Sequence, residues 1–139
     1  MKVKCISATI SIENSSIAII EWANNSEMEI TIGKTYAVLA ISKYFDTIFY
    51  YIIGDESDSY PLAFPSNLFQ IIDYNISKYW STSLIEVRDP QDLEMGNGEI
   101  ISFKEWITKG DEFYEKLLDE EKEEVKLFDM YRDRILTEI

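Results

Sequence analysis

Two runs dense in β-branched and aromatic residues, Tyr-Ala-Val-Leu-Ala-Ile at 36–41 and Thr-Ile-Phe-Tyr-Tyr-Ile-Ile at 47–53, flank the short connector Lys43-Tyr44-Phe45-Asp46. Side chains of these types fit a pleated, half-buried surface, and so short a connector predicts an antiparallel hairpin. The neighbouring sequence continues in the same style. Residues 2–12 alternate, 17–22 form a short apolar run after the turn formers Asn14-Ser15-Ser16, and 60–64 and 69–73 read as further strands. A single 3₁₀ turn is expected at 65–68, and residues 78–87 are expected to close the sheet. Short strands at this spacing, without a helical period between them, predict a small antiparallel β-barrel or a strongly bent sheet over residues 1–87.

Beyond residue 87 the pattern changes. Residues 88–101 read as a polar loop, with Gly96-Asn97-Gly98 as its turn, and 102–139 as mainly helical. Ser102 and Glu105 have capping-box spacing, Gly110 should end a first helix, and Asp111 can cap a second. A break is expected near Leu118, before Asp119-Glu120-Glu121. Leu117, Val125, Phe128, Ile135 and Ile139 fall near one face, and Glu112–Lys116, Glu123–Lys126 and Asp129–Arg132 are spaced as same-face charge pairs. The expected class is α+β, a single domain over residues 1–139.

Composition narrows the chemistry more than the fold. The chain carries 26 Asp+Glu against 13 Lys+Arg, no His and one Cys, for a formal charge of −13. Without histidine there is no Ser-His-Asp or Cys-His pair and no imidazole metal site. A lone thiol, Cys5, makes no internal disulfide, and it reads as a buried small hydrophobe. The charge opposes direct binding of nucleic acid through phosphates. With 46% apolar residues and 14% aromatics the chain has a folding composition. Residues 88–139 hold 8 Lys/Arg against 16 Asp/Glu, and residues 1–87 hold 5 against 10, so the tail is the more acidic part per residue.

No signal peptide is read in the first residues. The most apolar window, 35–54, carries Lys43 and Asp46 in its middle. The expectation is a cytoplasmic protein with no membrane span. Ile32-Gly33-Lys34-Thr35 imitates the end of a phosphate-binding loop but lacks the earlier glycine, Met28 standing in its place. It reads as a turn before a strand. Asp55-Glu56-Ser57-Asp58 fails the calcium-loop pattern, since Tyr60 and Ser66 occupy the places of Gly and Glu, and reads as a solvated hairpin tip. Paired carboxylates could in principle perform acid–base work, but none stands in a recognisable motif. Neither a catalytic residue nor a cofactor site is therefore assigned.

What remains is recognition. The aromatics about the hairpin exceed what one core face absorbs, and Tyr60, Tyr79 and Trp80 are candidates for an exposed aromatic surface. The acidic run at 111–124 contains eight acids and two lysines, a solvated helix face or a surface for a basic partner. Partner contact is expected from Asp55, Glu56, Asp58 and Tyr60 at the hairpin tip and from Asp89, Asp92 and Glu94 in the long loop.

The stretch Tyr60-Pro61-Leu62-Ala63-Phe64-Pro65-Ser66-Asn67-Leu68-Phe69 resembles the strand–3₁₀–strand corner of Src-homology-3 domains. Leu68 replaces the ligand-binding Tyr and no Ala-Leu-Tyr-Asp-Tyr run precedes it, so the resemblance implies barrel geometry without proline-peptide binding. A second resemblance rests on Gly-Lys-Thr-Tyr-Ala-Val-Leu, the Tyr-Tyr-Ile-Ile-Gly-Asp hairpin, the Phe-Pro-Ser-Asn-Leu-Phe-Gln-Ile-Ile-Asp corner, Trp80 and the acidic tail. Together these resemble small bacterial immunity proteins of polymorphic or contact-dependent toxin systems. That resemblance implies an inhibitor that occludes a cognate protein toxin, for which a basic nuclease would be a fitting target. A DNA mimic or counter-defence protein, and a host adaptor or structural subunit, stand as the alternatives. The oligomeric state is left open.

Overall fold

In a computed structural model, which describes residues 1–10, 16–56 and 59–139, the central hairpin forms as its composition dictates. Strands β3 (Ala40–Tyr44) and β4 (Thr47–Ile52) pair antiparallel with Tyr44 opposite Thr47, leaving Phe45-Asp46 as a two-residue turn. Strand β5 (Leu62–Pro65) adds to β4, and the short β7 (Ile100–Ile101) adds to β3. A second sheet has the order β2-β1-β6, from β1 (Lys2–Cys5), β2 (Thr35–Ala37) and β6 (Phe69–Asp73).

Two sharp passages join the sheets. At Val38-Leu39 the chain leaves one sheet for the other: Val38 N–H bonds to Met1 O at 3.1 Å, and Leu39 N–H to Tyr51 O at 2.8 Å. The 3₁₀ turn Ser66–Leu68 carries β5 into β6, as expected of the corner. The fold class is α+β, built from two antiparallel sheets and helices. No closed barrel is found among the described residues.

Helices account for the largest departure from the sequence reading. Residues 17–22 belong to a helix, α1 (Ile17–Asn25), and not to a strand. A short apolar run cannot distinguish the two by periodicity. The Ser16 hydroxyl decides it by accepting Ile19 N–H at 3.3 Å, and Ala18 and Ile19 then turn into the core. Residues 78–87 do not form a closing strand either. Only isolated bridges, Asn75 with Glu86 and Trp80 with Phe103, mark this stretch. Hydroxyls take up backbone N–H groups here, Ser77 Oγ accepting Tyr79 N–H while donating to Glu138 Oε1, and Thr82 Oγ1 accepting Leu84 N–H, which competes with a ladder.

The tail follows the expected breaks: α2 (Lys104–Lys109), α3 (Asp111–Leu118) and α4 (Lys122–Leu136), with Gly110 at φ +60° and Glu120 at φ +58° in the two junctions. The caps differ from the expectation. Phe103, not Ser102, stands at the first N-cap, because the Ser102 hydroxyl is buried and donates to Leu39 O at 2.9 Å. Gly110, not Asp111, precedes α3. The same-face pairs Glu112–Lys116 and Asp129–Arg132 form at 3.0 and 3.2 Å. Leu117, Phe128 and Ile135 are buried, whereas Ile139 is exposed. No helix among the described residues is long and apolar enough to cross a membrane.

The helices dock through aromatic rings. Tyr51 of β4 meets Trp106 edge-on at 5.0 Å and Tyr114 at 5.3 Å, and Phe103 stacks parallel on Tyr131 at 4.1 Å. Tyr114 also donates its hydroxyl to Pro61 O at 2.7 Å. The opposite face of the same sheet, with Tyr50, Ile52 and Phe64, packs in the core shared with Val3, Phe69 and Ile71 of the other sheet. Both faces are thus covered, and Phe49 and Tyr50 are buried together.

Two substitutions separate packing from polarity. Trp106→Ala should destabilise the protein by about 3–5 kcal/mol in urea unfolding, the usual cost of emptying a large aromatic site. Tyr50 is fully buried and its hydroxyl has no hydrogen-bond partner among the described residues. Tyr50→Phe should therefore leave stability unchanged or raise it by about 1 kcal/mol. A loss above that size would mean the hydroxyl is satisfied.

Candidate functional site

Of the seven residues expected to contact a partner, Asp58 lies outside the described residues, and Tyr60 lines a different groove from Asp89 and Asp92. Asp55 is the most constrained. Its carboxylate accepts hydrogen bonds from Lys34 Nζ and Thr31 Oγ1, each at 2.5 Å, and from Tyr36 OH at 2.9 Å. Its N–H bonds to Glu29 O at 2.8 Å. Burial pushes this carboxyl upward, but the bonds from Lys34, Thr31 and Tyr36 outweigh it and hold the pKa below its ordinary value. Asp55 therefore ties the β4–β5 connection to the turn before β2. Lys34, after Gly33 at φ +88°, serves this ion pair.

Tyr60 is half-buried and lines a groove of about 410 Å³ against α3 and α4, with Leu117 and Val125. Asp89, Asp92 and Glu94 are exposed in the segment before β7. There Asp89 accepts Gln91 N–H at 2.9 Å, capping the 3₁₀ turn Pro90–Asp92. The aromatic surface expected of Tyr60, Tyr79 and Trp80 does not form. Trp80 is 5% exposed, and Tyr79 lies beneath Lys78 and Arg134.

Tyr74 is exposed beside Arg88, and two further exposed aromatics stand together at the β3–β4 turn. Tyr44 and Phe45 keep 48% and 53% of their surfaces, their rings edge-to-face at 4.6 Å. Phe45 has φ +55°, in the first place of a two-residue turn where glycine or asparagine is usual. Its N–H donates to Asn97 Oδ1 at 2.8 Å, and Gly98 N–H bonds to Lys43 O at 2.8 Å, so the 96–98 turn braces the tip. The readable signal was a bulky residue at a turn position that favours none.

Beside this tip a groove of about 390 Å³ separates α1 from the four-stranded sheet, with Glu21, Trp22, Tyr44, Tyr51 and Asp111 in its lining. A second groove, of about 360 Å³, shares Trp22 and Ala63 with it and is bordered by Glu27, Glu29, Phe64 and Tyr114. The Trp22 indole N–H donates to Ala63 O at 2.7 Å, making the bridge between them.

Near the second groove, oxygens of Glu27, Glu29 and Glu56 lie within 4.8 Å of one another. Gly54 permits this approach, since a Cβ there would meet Glu29 O at 3.0 Å and Glu29 Cβ at 3.2 Å. Three carboxylates suit a hard divalent cation, but two of them are exposed and no fourth carboxylate, histidine or cysteine joins them among the described residues. The trio is a concentration of negative charge. Burial first, then the charges of Glu56, Glu27 and Asp55, hold the Glu29 carboxyl above its ordinary value. An acid whose pKa is raised by folding loses stability as pH rises through the raised value, and the loss is absent below the ordinary carboxylate range. Glu29→Gln should therefore raise the melting temperature at about pH 7, with the gain closing toward about pH 4. Equal melting temperatures at neutral pH would show that the trio does not repel.

Compared with known proteins, the chain matches no protein-family model, no curated protein and no solved structure.

Proposed function

We propose that this chain is a non-catalytic, acidic binding protein, an immunity-type inhibitor that occludes the active site of a basic protein toxin, with a nuclease the fitting class. The observation that carries the reading is the uncompensated charge. Acids outnumber cations two to one, so a charge of −13 persists however the pairs form. Part of it is concentrated along α3 and the junction that follows, where residues 111–121 carry six acids against Lys116 alone, while α4 balances four acids with four cations. A field of that sign repels nucleic acid and draws a basic protein surface into encounter. The scaffold beneath is packed on both sheet faces, which suits a rigid inhibitor that binds without refolding.

The test is capture of partners by the tagged protein from nuclease-treated host lysate at low and moderate salt. Partners are identified by mass spectrometry, and the captured protein's own activity is then assayed. The expected result is one stoichiometric basic protein, inhibited at a one-to-one ratio, with affinity falling about tenfold or more as salt is added. An acidic partner, or affinity indifferent to salt, would overturn the electrostatic reading. A DNA-binding protein released by added DNA would replace the inhibitor with a DNA mimic.

A further inference from the structure

The two grooves beside α1 share Trp22 and Ala63, so they adjoin at that pair and together make a track along the four-stranded sheet. Carboxylates border both halves, Glu27 and Glu29 at one end and Glu21 and Asp111 at the other, and the exposed Tyr44–Phe45 pair stands beside the second end. Apolar and aromatic side chains, among them Trp22, Phe64 and Tyr51, line the track between these acids. Lys43 also lines the second groove, beside Tyr44.

The neighbouring sheet edge favours side-chain recognition over strand addition. Ala63 O is occupied by the Trp22 indole, Pro61 O by the Tyr114 hydroxyl, and Pro65 has no N–H to offer. An incoming chain would find few backbone groups on this edge, but would find acids, aromatic surface and two grooves.

We propose that this track receives an extended basic segment of a protein partner. Its lysine or arginine side chains lie toward Glu27 and Glu29 at one end and toward Asp111 at the other, and its apolar side chains lie against Trp22 and the Tyr44–Phe45 tip. This assignment rests on the reading of the chain as an acidic binding protein and names where that binding occurs. The crowding at Glu29 agrees with it, because an arriving cation would relieve the repulsion among Glu27, Glu29 and Glu56. The strain at Phe45 agrees as well, since an aromatic side chain in a glycine-like conformation is held outward where a partner can reach it.

The experiment selects binders to the intact protein from a displayed library of random linear peptides, then measures the recovered peptides against three variants. These are Glu27→Lys with Glu29→Lys, Phe45→Gly, and a charge-reversed helical face, Glu112→Lys with Glu115→Lys and Glu123→Lys. The expected binders combine Lys or Arg with apolar residues. The first two variants should each weaken them by about tenfold or more, and the third should weaken them much less. Phe45→Gly frees a strained backbone, so its melting temperature should not fall, which separates lost contact from lost folding. Basic binders that respond only to the helical-face variant would overturn the track while preserving the acidic-binding reading. Selection that enriches no basic peptide would overturn both.

Discussion

The rest of the structure depends on aromatic contact across the outer face of the four-stranded sheet. Tyr51 projects from β4 into Trp106 and Tyr114, and Phe103 stacks on Tyr131 from the other side of the helical group. Helices of six, eight and fifteen residues have little stability alone, because nucleation costs more than a few turns return. They persist here because burial of Trp106, Phe113, Leu117, Phe128 and Ile135 supplies what propensity cannot. The same contact covers Tyr51, while α1 stands over Phe49, so the sheet is covered on both sides.

Docking also explains how the fold carries so much charge. A helix with one buried apolar stripe can place most of its acids over the rest of its circumference in water, and Glu124 of α4, 3% exposed, is the exception. Ion pairs such as Glu112–Lys116 and Asp129–Arg132 offset part of the repulsion, though exposed pairs of this kind contribute only a few tenths of a kcal/mol each. Their use is as much in local order as in stability. Where an acid does become central, at Asp55, three donors hold it and its role turns inward.

Strand positions whose signal was local were legible in the sequence: the β3–β4 hairpin, the corner through Ser66–Leu68, strand β6, and the breaks at Gly110 and near Leu118. Signals that depended on a distant partner were not. Ile17–Asn25 becomes a helix because Ser16 caps it and the core accepts Ala18 and Ile19, neither of which an apolar run of six residues reveals. Ser102 looked like a cap, yet its hydroxyl is claimed by Leu39 O, a residue 63 positions away. The same holds for the candidate surface. Asp55 and Glu56 were identifiable as exposed-loop acids, but the internal bonds of Asp55 come from residues 31, 34 and 36. The track between α1 and the sheet depended on recognising α1 as a helix, so reading residues 17–22 as a strand removed one of its walls.

Phe45 is the position where folding and exposure most clearly disagree. A non-glycine residue in the left-handed region costs about 1–2 kcal/mol, and glycine at the same place would avoid that cost. Burial does not compensate, since 53% of the residue remains exposed and its ring contact is with Tyr44, itself 48% exposed. Asn97 and Gly98 nevertheless brace the turn by hydrogen bonds to Phe45 N–H and Lys43 O. The fold therefore spends rigidity on holding two aromatic rings in water at the end of its central hairpin. Large aromatic groups held rigidly outward lose little conformational entropy when they are covered, and this makes them effective anchors in protein interfaces. Their position beside acid-bordered grooves joins the chain's two most unusual features, strong negative charge and displayed aromatic surface, on one side of the molecule.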